Sequence, residues 1–121
     1  MTLTSAPANT RRKFPRRLFK SPVGVLSRGV YFVADAGELG EGGMSFATDM
    51  VVPEGSQIII SFQIPHGDFV CVRAIVRSLL KNERSHVMTH GVSFENLSFA
   101  NKRQIRAFVS ARTVDQSESA A

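Results

Sequence analysis

The chain has 121 residues, enough for one hydrophobic core and one site, and its 43% apolar and 21% charged residues are those of a globular domain. Fifteen Lys and Arg against ten Asp and Glu give a net charge of +5, which favours anionic partners. The single cysteine, Cys71, excludes a disulfide framework and a cysteine-based metal site, and no apolar run approaches the roughly 20 residues of a membrane helix, so a soluble protein of a reducing cytoplasm without membrane insertion is expected.

Residues 1–10 are small and polar and are expected to form a flexible tail ahead of a domain spanning 11–112. Five cations stand together in Arg11-Arg12-Lys13-Phe14-Pro15-Arg16-Arg17, and the Phe-Pro pair at its centre favours an extended segment over a helix. An Arg-bearing N-terminus also fits an organelle transit peptide, a reading that leaves the rest of the chain unexplained.

Three short β-prone runs follow, Val23 to Leu26, Val30 to Ala34 and Met44 to Ala47, the last two separated by the glycine-rich turn Gly37-Glu38-Leu39-Gly40-Glu41-Gly42-Gly43. From Gln57 to Ile64 the pattern has a period of two, with Ile58, Ile60, Phe62 and Ile64 on one face, which only a strand satisfies. Phe69 to Leu80 repeats it with Val70, Val72, Ala74 and Val76, and Pro65-His66-Gly67-Asp68 makes the two a hairpin. Lys81 to Ser85 connects to a further strand over Val87 to Phe94, with Met88, Val92 and Phe94 on one face. About six strands without intervening helices predict an antiparallel barrel or sandwich.

Ser98 is a good N-cap for a helix through Asn101 to about Ala111, with Ile105, Phe108 and Val109 on the covered side and Lys102, Arg103 and Arg106 on a solvated one. Residues 113–121 are expected to form a second flexible tail.

The chain carries no nucleophile elbow, phosphate-loop signature or acid/base pair of carboxylates, so no enzyme is expected. His86 and His90 stand four apart, roughly 13 Å in a strand, too far to share a metal ion. Two segments could bind a ligand. Arginine grips phosphate bidentately, donates to the O6 and N7 edge of guanine and stacks on a base, so the basic cluster suits a nucleotide as well as it suits a merely solvated arm. The glycine segment is either a plain turn or a place where backbone amides approach an anion or a base edge.

The combination and its order resemble the PilZ family: Arg-x-x-x-Arg at Arg12 and Arg16, then a glycine-rich turn ending in Gly-Gly-Met, a hairpin, Gly91-Val92-Ser93-Phe94 and a terminal helix. That family's second motif, Asp/Asn-x-Ser-x-x-Gly, aligns with Glu38-Leu39-Gly40-Glu41-Gly42-Gly43; the register beginning at Asp35 restores the aspartate but breaks the entry into the next strand. The resemblance implies an all-β fold, a six-stranded antiparallel Greek-key-like β-barrel with a C-terminal α-helix, binding cyclic di-GMP. It implies that Arg12 and Arg16 hold phosphate and guanine groups, with Arg11 and Arg17 as neighbours that could join them. Glu38 would accept from a guanine edge, with Gly40 and Gly43 completing the turn. Gly40 stands where the family has serine, and one missing hydrogen bond typically costs about 0.5–1.5 kcal/mol.

Two further readings stand beside a cyclic di-GMP receptor acting on motility, pilus or exopolysaccharide machinery to regulate motility or biofilm. One is an adaptor that keeps the barrel and no longer binds the dinucleotide. The other is nonspecific nucleic-acid binding, disfavoured by a single Tyr, no Trp and nine Phe mostly in core-facing or turn-adjacent positions.

Overall fold

The computed structural model describes residues 15–120, with side chains as far as Ala111. Among these residues seven strands precede one helix: β1 (Arg16–Leu18), β2 (Pro22–Ser27), β3 (Val30–Gly40), β4 (Gly43–Thr48), β5 (Gln57–Gln63), β6 (Phe69–Lys81), β7 (Met88–Glu95) and α1 (Phe99–Ala120). Six of them close into an antiparallel barrel, β3-β2-β5-β6-β7-β4, sealed by the pairing of β4 back onto β3. β1 lies outside this ring as an added strand on β3.

The period-two runs become the wall, with alternate residues pointing inward. Val23, Val25, Leu39, Met44, Phe46, Ile58, Ile60, Phe62, Ala74 and Val76 fill the interior, and Ile105 and Val109 of α1 join the same core. Phe19 makes edge contacts with Phe62 at 6.0 Å and Phe108 at 5.7 Å, tying the segment after β1 to barrel and helix. Ser98 Oγ accepts the Asn101 N–H at 3.1 Å, the expected N-cap. The helix continues past the expected end at Ala111 to Ala120, because neither Gly nor Pro follows to stop it.

The segment 37–43 departs from the expected turn. Gly37 to Gly40 continue β3, Gly43 opens β4, and only Glu41 and Gly42 turn the chain. The register steps from Ala36↔Phe46 to Leu39↔Met44, so Gly37 and Glu38 together face Ser45 in a β-bulge. Glycine is needed at Gly43 for a steric reason: a Cβ there would overlap the Val92 carbonyl oxygen across the β4–β7 seam.

His90 lies on the inward face with Val92. It is fully buried, stacked on Phe46 at 5.0 Å, with Nδ1 3.1 Å from the Met88 carbonyl oxygen and no hydrogen-bond partner for Nε2 among the described residues. Burial, partly offset by backbone hydrogen bonds, holds its pKa below the ordinary 6.5. The unfolded chain therefore takes up the proton first, so stability present above about pH 6.5 is lost as pH falls through the folded-state pKa. Urea midpoints measured from pH 8 to pH 5 should fall for the parent protein, and His90→Phe should flatten that dependence. Parallel curves for the two proteins would remove His90 as the cause.

Candidate functional site

β1 carries the described part of the basic cluster onto β3 in the register Arg16↔Gly40, Arg17↔Leu39 and Leu18↔Glu38. Directly paired residues of an antiparallel ladder share a face. Leu39 points into the core, so Arg17 lies on the inner side, while Arg16, Leu18, Glu38 and Gly40 lie on the outer side of the wall. The two segments singled out in the sequence thus meet in adjacent strands, Arg16 facing Gly40 and Glu38 two pairs further along, next on the same face. Arg11 and Arg12 lie outside the described residues.

Local packing gives each of these positions a cause. A Cβ on Gly40 would stand 2.8 Å from the Pro15 carbonyl oxygen and 3.0 Å from Arg16 Cγ, so the bare glycine lets β1 lie close against β3. The serine of the family pattern cannot be placed there without moving that backbone. The bulge sets Glu38, whose N–H donates to Ser45 Oγ at 3.0 Å. Ser45 thus places a hydroxyl beside Glu38, a residue that motif reading missed because the motif ends at Gly43.

Arg17 has a different environment. Its Nη1 donates to the Phe108 carbonyl oxygen at 3.0 Å and its guanidinium lies 4.3 Å over the Phe108 ring, so it fastens α1 to β1. It lines a cleft of about 490 Å³ with Pro65, His66, Gln104 and Phe108, away from the face that carries Arg16. Gly43 pairs with Ser93 in the barrel wall, where its lack of a side chain serves closure of the β4–β7 seam. Asp35, which begins the alternative motif register, faces Pro22 and Ala47 rather than β1.

The basic face of α1 is not merely solvated as expected. Arg106 makes a bidentate ion pair with Glu41, Nε to Oε2 at 2.8 Å and Nη2 to Oε1 at 2.9 Å. The hydrogen bonds from Arg106 hold the buried Glu41 carboxyl below its usual range despite desolvation. The turn that leaves Gly40 is therefore clamped to the helix. Among the described residues no group of three or more His, Cys, Asp or Glu could hold a metal ion, and no helix is long and apolar enough to cross a membrane.

A closed six-stranded barrel with an added strand and a C-terminal helix, its Arg-bearing edge laid on a bulged glycine strand, can be compared with known proteins. The family model of the PilZ domain matches residues 10–111. The chain belongs to the PilZ family. Solved structures of the same fold include MotI/DgrA, the inhibitor of motility of Bacillus subtilis, at 12% identity and TM-score 0.76, covering 87% of this chain and 52% of that one. MrkH of K. pneumonia, in complex with c-di-GMP, is 13% identical with TM-score 0.69, covering 90% and 55%. The PilZ domain of Escherichia coli YcgR with c-di-GMP is 16% identical with TM-score 0.63, covering 91% and 97%. This PilZ chain spans about half the length of MotI and MrkH. At such identities the likeness shows the fold. A search of curated proteins finds no match.

Proposed function

We propose that this PilZ domain is a cytoplasmic receptor that captures cyclic di-GMP on the outer face of β1 and β3 and relays the capture to a protein partner. The observation that carries the reading is the register Arg16↔Gly40 and Leu18↔Glu38, which sets an arginine of one motif beside the carboxylate of the other. Arg16, with Arg12 four residues before it, grips phosphate and guanine through its planar fork. Glu38 accepts from the N1 and N2 donors of a guanine, and Ser45 supplies a nearby hydroxyl in place of the one Gly40 lacks. Gly40, Gly43 and Arg17 serve the site by shaping β1, β3 and the helix contact rather than by touching ligand. Arg11 extends the positive field that attracts the dinucleotide.

Capture joins the basic cluster to β3 through the ligand, and the surface so formed is what a component of motility, pilus or exopolysaccharide machinery reads. Two of these solved structures are complexes with c-di-GMP and a third is an inhibitor of motility, which supports this class of role.

Isothermal titration with cyclic di-GMP at moderate salt tests the reading, with cyclic di-AMP and GTP as controls. Selective binding at micromolar concentration or tighter is expected. Absence of heat together with unshifted amide resonances in β1 and β3 would mean that the barrel serves as an adaptor without the dinucleotide.

A further inference from the structure

A two-residue turn joins β2 to β3 inside the pair Ser27↔Val30, and both of its residues have positive φ, 53° at Arg28 and 81° at Gly29. Turns of this kind favour Asn or Asp ahead of Gly, because those residues enter the left-handed region at least cost, and arginine is not among them. Arg28 is exposed and forms no hydrogen bond or ion pair among the described residues. Nothing within the fold therefore accounts for an arginine held in that conformation. A strained residue without an internal use points to a contact outside the chain.

Beside this turn the barrel wall is open. The pairing of β2 with β5 ends at Leu26↔Ile59, and there lies a hollow of about 300 Å³ lined by Arg28, Gly29, Leu26, Gln57, Ile59 and Arg73. Leu26 and Ile59 are 39% and 37% exposed and give it an apolar floor. Arg28 borders it from the β2 side and Arg73 from β6, with only β5 between, roughly 10 Å across two strand spacings. Arg73 is exposed as well and forms no ion pair among the described residues. Glu95, directly opposite it on β7, instead accepts from Gln57 Nε2 at 3.0 Å.

Charge and floor together select the occupant. Two guanidiniums suit two carboxylates, and the floor between them suits an apolar side chain. Nucleic acid or an anionic lipid surface fits less well, because a dense polyanion would meet the Glu95 carboxylate beside Arg73. In an extended segment alternate side chains share a face, so Glu-x-Leu-x-Glu presents carboxylate, apolar group and carboxylate on one side over roughly 13 Å. We propose that the hollow between the Arg28-Gly29 turn and Arg73 docks an extended acidic segment of a protein partner, its carboxylates on the two arginines and an apolar side chain on Leu26 and Ile59. Such docking gives the partner of the proposed relay its chemistry and rests on that relay for its purpose. It is measured without cyclic di-GMP, so a failure of capture and a failure of docking give different results.

Titration of the full chain with acetyl-Glu-Ser-Leu-Ser-Glu-amide, followed by amide chemical shifts, tests it beside one peptide with Gln for both Glu and another with Ser for Leu. Shifts should cluster at Arg28, Gly29, Gln57, Ile59 and Arg73, and both control peptides should bind more weakly. Arg28→Asn and Arg73→Gln should each lower affinity about twofold to fivefold, the range of exposed ion pairs. The double variant should bind the acidic peptide no better than the parent binds the uncharged one. Asn also suits the turn better than Arg, so the urea midpoint of Arg28→Asn should stay level or rise while its affinity falls, a split that a structural role for Arg28 would not give. No shift up to several millimolar peptide, shifts scattered over the surface, or equal binding of the uncharged peptide overturns the proposal.

Discussion

Gly43→Ala is expected to destabilise the barrel by about 3 kcal/mol, at the upper end of ordinary overpacking. The added methyl would overlap the Val92 carbonyl oxygen and come within 3.1 Å of Ser93 Cα. Both obstacles are backbone of β7, paired to β4 over Gly43↔Ser93 and Met44↔Val92, so no rotamer change relieves the clash. Relief requires β4 to part from β7 or the Glu41-Gly42 turn to move, and the Phe94 N–H to Gly42 carbonyl bond at 2.9 Å and the Glu41–Arg106 pair resist that movement. Gly37→Ala is the internal comparison. Its methyl would meet Ser45 Oγ at 2.7 Å, a hydroxyl that can rotate away at the expense of its bond from the Glu38 N–H, and a loss of about 1 kcal/mol is expected. Urea unfolding of the two variants measures both, and equal small losses would show that the seam yields.

The second large effect concerns the ligand. Arg16→Ala should lower cyclic di-GMP affinity about tenfold to a hundredfold, the range set by hydrogen bonds to charged groups of about 1.5–3 kcal/mol. The fold should survive, because Arg16 projects outward from an added strand rather than from the closed ring. Arg16→Lys keeps the charge without the planar fork and should fall between the two. Arg17→Ala is the informative contrast: it removes the Phe108 contact and should reduce stability by roughly 1 kcal/mol while leaving affinity nearly unchanged. Titration calorimetry and thermal unfolding of the variants separate these roles. Parent-like affinity in Arg16→Ala would remove the outer face as the site, and a loss confined to Arg17→Ala would move it to the cleft beside Phe108.

The barrel wall was readable because a half-buried strand writes its burial into alternate positions, and Ile58, Ile60, Phe62 and Ile64 point inward as that alternation requires. β1 was only partly readable. The extended character of the basic cluster was evident from Phe14-Pro15, yet three residues paired to a single neighbour carry no periodicity that would announce a strand. The glycine segment was misread as a turn because glycine frequency alone does not distinguish backbone freedom from steric necessity. Gly40 and Gly43 are strand residues whose missing side chains admit another backbone, and that need appears only once β1 and β7 are in place. The Glu41–Arg106 pair joins residues 65 positions apart, beyond any local pattern. For the candidate site, motif spacing brought Arg16, Glu38 and Gly40 forward together, while the division between an outward Arg16 and a helix-bound Arg17 follows from strand parity against Leu39.

Because among the described residues β1 pairs with β3 alone, it can detach while the six-stranded ring remains shut. Such an opening breaks a three-residue ladder and the Arg17 contacts with α1, far less than global unfolding requires. Amide protons in β1 therefore exchange through a local, low-energy opening, and those of β5 and β6 through the global one. A dinucleotide bridging Arg16 and Glu38 would tax that local opening directly, so its occupancy would be recorded as slowed exchange in β1 before any change in the melting of the barrel.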